Sequence, residues 1–520
     1  MSTDRVVWAL GARRVLAQVD GTERAAFADD VYSAVVNTLA HDRGTIFDAV
    51  DGLYRGEQSF LDWREQTYPA FVRDDVVAIA MGKALGTNLL HLAAIELARD
   101  LATERNDVAA RDRFATQASD LRTAIVDRFT TDEGLLSSYI PSDLDPAPVR
   151  RLDALSTSLA ILMDVVDADT ARELLSRQPH YGPGVPVIWP QQQDTAIYHN
   201  RAEWPFVTAY WLKAAAHVDH DVVVARMLRA LVRGSTLHLS NMENFEAGSG
   251  SVHVDEGATS GPVVNSRRQL WSVAGALGAV EHTLFGLEAT SSALRVSPYV
   301  PASLFRAADG NEALLGGTRE LVLRDVVVRG RTLTVVLHLP ATPGTNGALR
   351  ISNRQLDGVD VGEVIPFASI ADGARIDVTL ASADRNTSRD VLVVDDADYR
   401  NVFGPRTPSI TAIDVVADRL RLTIARGNER AEDITLRVYR DGSVVADALP
   451  GSTTTFTDPD HVASSPRTPC YVVESTFASS GTHSQHASPQ CFWGTGFSRI
   501  TTIGAQQMSH VGGSGSTDHG

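Results

Sequence analysis

The spacing of apolar residues changes once along this chain, and that change constrains the fold more than any other feature. Up to about residue 290 apolar residues recur every three to four positions. After Ser297-Pro298-Tyr299 they alternate. The first stretch predicts helices over 25–41, 76–104, 109–129, 152–166, 170–177, 205–218, 222–237 and 268–285. Segments 75–104 and 205–218 are apolar all round, whereas 109–129 and 222–237 carry charge on one face. Such alternation predicts two concentric layers of helices, the inner ones buried on both sides. No 33- to 47-residue repeat is visible, which argues against a solenoid. The alternating stretch divides at about residue 405. Glu320–Val328 and Thr332–Leu339 flank Arg329-Gly330-Arg331 as a hairpin, and residues 296–405 are expected to form a β-sandwich. Residues 406–497, with turn signals between short runs near 410–416, 418–424, 434–439, 443–448, 470–477 and 484–493, predict a second, smaller sandwich. Residues 498–520 read as a flexible, Gly/Ser-rich tail. The 520 residues thus divide into a mainly-α domain, 1–295, two β modules and a tail.

Composition excludes several functions. Apolar residues make up 43% and charged residues 21%, ordinary for a folded protein. With 64 acids against 47 bases the formal charge is −17, which disfavours nucleic acid as a partner. No run is long and apolar enough to span a bilayer, and 1–21 lacks the pattern of a signal peptide. There is no phosphate loop, dinucleotide fingerprint, CxxC, HExxH or GxSxG. No cofactor is expected. Asp395-Asp396-Ala397-Asp398 and Asp458-Pro459-Asp460 read as solvated acidic turns, so no metal is expected either. The two cysteines, Cys470 and Cys491, flank a hairpin signal. A two-residue loop at Ser480-Gly481 would set them face to face, with Pro489 opposite Val472, whereas a longer loop would shift the register. A disulfide there implies an oxidising compartment.

Acids and aromatics gather in three loops of the helical part. The first runs from Asp51 through Tyr54, Arg55, Glu57 and Asp62 to Trp63, Arg64 and Glu65. Ser59-x-x-Asp62 also suits a capping box opening a helix over 60–66, which gives Asp62 a structural alternative. The second holds Trp189-Pro190 and Tyr198-His199-Asn200-Arg201-Ala202-Glu203-Trp204-Pro205, with Pro205 suited to a first helical position. Aromatic faces beside polar edges suit sugar rings, although Trp204 and Phe206 could equally staple a helix start. The third is Asn241-Met242-Glu243-Asn244-Phe245-Glu246-Ala247-Gly248, followed by Asp255-Glu256.

Taken in order, these clusters resemble the six-hairpin (α/α)6-toroid glycosidases, which include α-L-rhamnosidases and glycogen debranching enzymes. The rhamnosidases carry an Asp, an Arg four positions on and a general-acid Glu six positions on, matched here by Asp51, Arg55 and Glu57. Glycogen-debranching-like enzymes show Tyr-His-Asn-x-x-x-Trp-Pro, matched by Tyr198, His199, Asn200, Trp204 and Pro205. Their general base sits in Glu-x-Phe-x-Gly, which Glu243, Phe245 and Gly248 resemble with one residue inserted, leaving Glu246 as an alternative base. Arg151-Leu152-Asp153 and the residues after it look like an inner-helix segment of the same enzymes. The second β module resembles a fibronectin type III domain.

The resemblance implies an exo-acting, inverting glycoside hydrolase with a carbohydrate substrate, Glu57 as acid and Glu243 as base. Asp51, Arg55, Asp62, Trp63, Trp189, Tyr198, His199, Asn200 and Trp204 would bind the sugar. It also implies periplasmic or secreted localisation of the full-length form. A ring of six hairpins needs more helices than the nine or ten legible in 1–290, so the toroid is expected to be incomplete at its N-terminal side. Two other readings stay open. One is a polysaccharide lyase using Tyr198, His199, Asn200 and Arg201, and the other is a non-catalytic carbohydrate-binding protein. The oligomeric state is not legible.

Overall fold

The computed structural model describes residues 4–56, 70–73, 76–254, 261–262, 266–307, 312–383 and 390–494. Glu57, Asp62, Trp63, the expected helix over 60–66, Asp255, Glu256 and the tail lie outside them. The chain is multidomain, a helical part followed by several sheets.

The helices are α1 (Asp4–Gln18), α2 (Gly21–Thr45), α3 (Ala70–Arg73), α4 (Val76–Met81), α5 (Leu85–Glu104), α6 (Val108–Phe129), α7 (Ala154–Leu162), α8 (Ala168–Arg177), α9 (Pro205–His217), α10 (Asp221–His238) and α11 (Leu270–Gly278). A π-helical turn, Ala279–Leu284, extends α11. None of the described helices is long and apolar enough to cross a membrane. Helices α5, α7 and α9 are buried on almost every side, from Leu85 through Ile95 in α5 without a break. Helix α6 buries one stripe, Ala110, Phe114, Ala118, Leu121, Ile125 and Phe129, at the spacing of a single face. Each such Leu or Ile removed from water contributes about 1.5–3 kcal/mol. Helix α5 packs on α1, α2, α6 and α7, and α9 packs on α7, α10 and α11. The all-round-apolar helices therefore form an inner layer and the striped ones cover it.

One boundary differs from expectation. Residues 76–104 read as a single helix but break at Gly82, and Lys83–Ala84 becomes a short strand. A Cβ on Gly82 would collide with Tyr139 Oη, so the tyrosine covers the backbone there and the chain turns to pair with Tyr139–Ile140.

The first β module carries a five-stranded sheet in the order Glu320–Val328, Arg331–His338, Arg375–Ala381, Arg350–Leu356, Val359–Asp360. Arg331–His338 and Arg375–Ala381 run parallel and the other pairs antiparallel. A three-stranded sheet joins Val364–Pro366 to Ala293–Val296 and Leu287–Ala289, and so begins within the segment read as helical. One continuous core runs from Ala154 and Trp211 through Val335 to Leu380, welding this module to α7, α9 and α10.

The second β module encloses its own core, Leu420, Leu422, Leu436, Val438, Tyr471, Val473 and Phe477, between a three-stranded and a four-stranded sheet. Thr455–Val462 is a strand that alternation missed, because Asp458-Pro459-Asp460 looks like a turn. Asp458 is buried, accepting from Tyr471 Oη (2.7 Å) and Arg440 (2.6 Å), so it is not the solvated loop acid expected. Cys470 and Cys491 face each other and are joined by a disulfide. The turn between them is longer than two residues, Phe477 N–H reaching Thr482 O across residues 478–481. Between Ser484 and Gln490 the second strand is irregular, and this restores the register at the cysteines. The expected strand 484–493 shrinks to Gln490–Cys491.

Candidate active site

Short backbone ladders run as a belt across the end of the helical part from which the inner helices start. Arg55 N–H donates to Ile46 O (2.8 Å) beside the ladder of Phe47–Asp48 with Leu53–Tyr54. Gly56 N–H donates to Gly82 O (2.9 Å), and Lys83–Ala84 pairs with Tyr139–Ile140. Ser138 N–H donates to Arg151 O (2.8 Å), and Leu152–Asp153 pairs with Ile188–Trp189. Val187 N–H donates to Ala202 O (2.9 Å), and Ala202–Glu203 pairs with Phe245–Glu246. Glu243 N–H donates to Ser266 O (2.9 Å) and Gln269 N–H to Asn241 O (3.1 Å). Helices α5, α7, α9 and α11 each begin within two residues of this belt, so their N-terminal N–H groups and positive dipole ends converge on it. The described parts of all three sequence clusters lie along the belt.

In the first cluster the charges pair with one another. Lys83 is buried, its Nζ 2.8 Å from Asp48 Oδ2 and 2.5 Å from Asp51 Oδ2. Arg55 Nη2 reaches Asp48 Oδ2 (2.7 Å) and Asp143 Oδ2 (3.4 Å). Burial alone would lower the Lys83 pKa, but hydrogen bonds and charge from Asp48 and Asp51 outweigh it and raise it. Burial alone would raise Asp48, yet the hydrogen bond from Lys83, Val50 N–H and nearby cations hold it below the usual range. Asp51 and Arg55, expected to hold sugar hydroxyls, are thus partners of Lys83 and Asp48, which sequence reasoning missed. The signal was a lone lysine inside the apolar run 76–95.

The second cluster divides into an aromatic wall and a brace. Tyr198 and Trp204 meet edge to face with ring centres 5.0 Å apart, and Trp204 Nε1 donates to Tyr198 O (2.8 Å). The His199 ring is wholly buried, 5.2 Å from Trp204. Trp271 on α11, also missed, extends the wall to within 5.9 Å of Trp204 and is 43% exposed, so its face is open to a ligand. Trp189 is buried, edge-on to Tyr181 at 6.1 Å. Asn200 braces the loop before it, receiving Gln192 N–H (2.6 Å) and donating to Gln192 O and Thr195 O.

In the third cluster the two glutamates differ. Glu243 accepts from Tyr198 Oη on Oε1 and from Ser266 N–H on Oε2, both at 2.8 Å. Glu246 closes its own turn, Oε2 accepting Ser249 N–H and Oγ (both 2.7 Å) while Arg201 stands 3.4 Å from Oε1. Two further belt carboxylates, Asp153 and Glu203, are fully buried. Burial pushes Asp153 up to about 6, although Ser156 and Leu155 N–H oppose it, and pushes Glu203 up to about 7 against a hydrogen bond from Thr208.

The segment joining the two β modules closes one side. His180 N–H donates to Leu392 O and Val394 N–H to His180 O, both 2.8 Å. Gln191 N–H donates to Val402 O (3.1 Å) and Gly404 N–H to Gln191 O (2.9 Å). The Arg201 guanidinium lies 5.5 Å from the centre of the Phe403 ring.

No protein-family model matches the chain, and no curated protein does. Among solved structures it is similar to a GH78 family rhamnosidase of Bacillus sp. GL1, at 19% identity and a TM-score of 0.40, over 64% of this chain and 31% of that one. It is also similar to an uncharacterized conserved protein from Thermus thermophilus, at 13% identity and a TM-score of 0.42, over 53% and 77% of the two chains. A GH63 mannosylglycerate hydrolase from the same organism, in complex with glucose, aligns at 12% identity and a TM-score of 0.40, over 54% and 75%. The chain thus spans about a third of the rhamnosidase's length.

Proposed function

We propose that this protein is a glycoside hydrolase of the (α/α)6-toroid type that cleaves with inversion, Glu57 acting as general acid and Glu243 as general base. The observation that carries the reading is the belt, which gathers the Asp51–Gly56 segment, the Tyr198–Trp204 wall and Glu243 at one end of the inner helices. Glu243 rather than Glu246 is the base, because Tyr198 and Ser266 orient its carboxylate while Glu246 is committed to its turn. Inversion places acid and base roughly 6.5–9.5 Å apart with a water between them. Glu57 protonates the leaving oxygen, and Glu243 takes the proton of the water that attacks the anomeric carbon from the opposite face. Trp271, exposed at the edge of the wall, offers its ring to the sugar, and the buried Trp204 supports it from behind.

What speaks against a lyase is that Asn200 bonds Gln192 and Thr195 and Arg201 stands 3.4 Å from Glu246. The test is a panel of aryl glycosides and polysaccharides incubated with wild type, E57Q and E243Q, with the product anomer read by NMR. Release of inverted reducing sugar by wild type and its collapse in both variants is expected. A product absorbing in the ultraviolet, or near-normal turnover in either variant, would overturn the assignment.

A further inference from the structure

Arg151 is 4% exposed, and no group among the described residues accepts a hydrogen bond from its Nε or Nη2. Burial is the sole influence on its guanidinium and pushes the pKa down to about 9. Two neighbouring buried cations are matched by carboxylates. Arg150, the preceding residue, gives two hydrogen bonds to Glu474, at 3.0 and 2.8 Å, and Lys83 has Asp48 and Asp51. An unmatched guanidinium in the interior is far costlier than either.

Its position shows where a partner would come from. Arg150 turns to the second β module, where Glu474 holds it, and Arg151 follows it directly at the start of the belt. Its carbonyl receives Ser138 N–H, and the next residue, Leu152, is paired with Trp189. Ser138 Oγ is likewise buried with no partner among the described residues. Ser138 also links this stretch to the start of α5, its carbonyl receiving Leu85 N–H (3.1 Å), close to where Gly56 joins Gly82.

Building on the glycosidase reading, we propose that Arg151 receives the carboxylate of an acidic sugar, so that the substrate is a uronate-containing glycan. The planar guanidinium matches a carboxylate through two parallel N–H···O bonds, which a lysine cannot reproduce. Ser138 Oγ donates a further hydrogen bond to the same group.

The experiment compares wild type, R151Q, R151K and R151M on matched pairs of aryl uronides and their neutral parent glycosides, beside titration with free glucuronate, galacturonate, glucose and galactose. Wild type is expected to favour uronides over neutral parents by roughly a hundredfold in kcat/KM. R151Q is expected to abolish that ratio, and R151K to retain only part of it. R151M, freed of an unmatched buried charge, melts a few degrees above wild type, roughly as expected for removing a single destabilising group. Equal treatment of uronides and neutral sugars by wild type overturns the proposal and leaves the glycosidase reading intact. A lower melting temperature in R151M also overturns it, since Arg151 would then be a partner within the fold. Uronate binding that R151Q abolishes, with no turnover of any glycoside, keeps the carboxylate site and rejects the hydrolase. Preference for a sulfated sugar over the uronide replaces the carboxylate by a sulfate and overturns the substrate class.

Discussion

A carboxylate held by donors from elsewhere in the fold is aimed, whereas one held by its own turn is spent. Glu243 is of the first kind, gripped by Tyr198 and Ser266 across long stretches of chain, and Glu246 is chiefly of the second, its Oε2 bound within its own turn while Arg201 stands 3.4 Å from Oε1. We expect E243Q to lower kcat by about 10²–10⁴-fold with substrate binding kept, as loss of a general base does. E246A is expected mainly to cost stability, about 1–3 kcal/mol for the stranded Ser249 donors, measured by denaturant unfolding. Y198F, losing a donor to Glu243 Oε1, falls between them in kcat. In the sequence Glu243 is favoured only by its place two residues before Phe245, with Glu246 left as the alternative, and the donors that set the two apart are invisible there. The same limit hid Lys83. An isolated lysine in an apolar run says that something must pair with it, but not that Asp48 and Asp51 do.

At the scale of elements, the inner helices were legible because burial on every side leaves an unbroken apolar run, and α6 because its stripe keeps the helical period. The belt was not. Its strands are two residues long, too short for alternation to register, and their pairing is decided only when the helices pack. Gly82 is the point where that pairing is most exposed to change. Gly82→Ala would drive a methyl into Tyr139, and we expect a loss of about 2–4 kcal/mol in unfolding free energy together with loss of activity. The belt also carries a pH signature. Asp153 and Glu203 have folded pKa values above their ordinary 3.8 and 4.5, so the neutral form is favoured on folding. The stability they lend is complete below those ordinary values and is lost as pH rises through about 6 and 7. The melting temperature should therefore rise on mild acidification from neutral pH, and E203Q should flatten that rise.

Across the whole molecule, the second β module is fastened by charges sealed inside the contact. Arg150 bonds Glu474, which also accepts Tyr439 Oη (2.9 Å), and His486 meets Asp145 at 2.8 Å, both side chains without exposure. Removing one partner strands the other, so E474A is expected to cost about 3–5 kcal/mol and to split one calorimetric transition into two. Burial would lower the His486 pKa, but the charge and hydrogen bond of Asp145 outweigh it and raise it. Docking is thus strongest below the ordinary histidine pKa and weakens as pH rises through the raised value. The passage from a helical part to sheets was readable from the switch in period. The shared core of the first β module with α7, α9 and α10 was not, since it joins residues far apart in the chain.

The irregular segment 392–404 adds a consequence of its own. The loop that presents Trp189 and Tyr198 takes main-chain partners from residues that follow it by about two hundred positions. During synthesis the helices emerge first and can pack, but His180 and Gln191 wait, bare, until Leu392, Val402 and Gly404 have left the ribosome. The loop is therefore finished only once the chain has been made as far as Gly404. A nascent product released before that point would carry a folded helical body with an unfinished mouth.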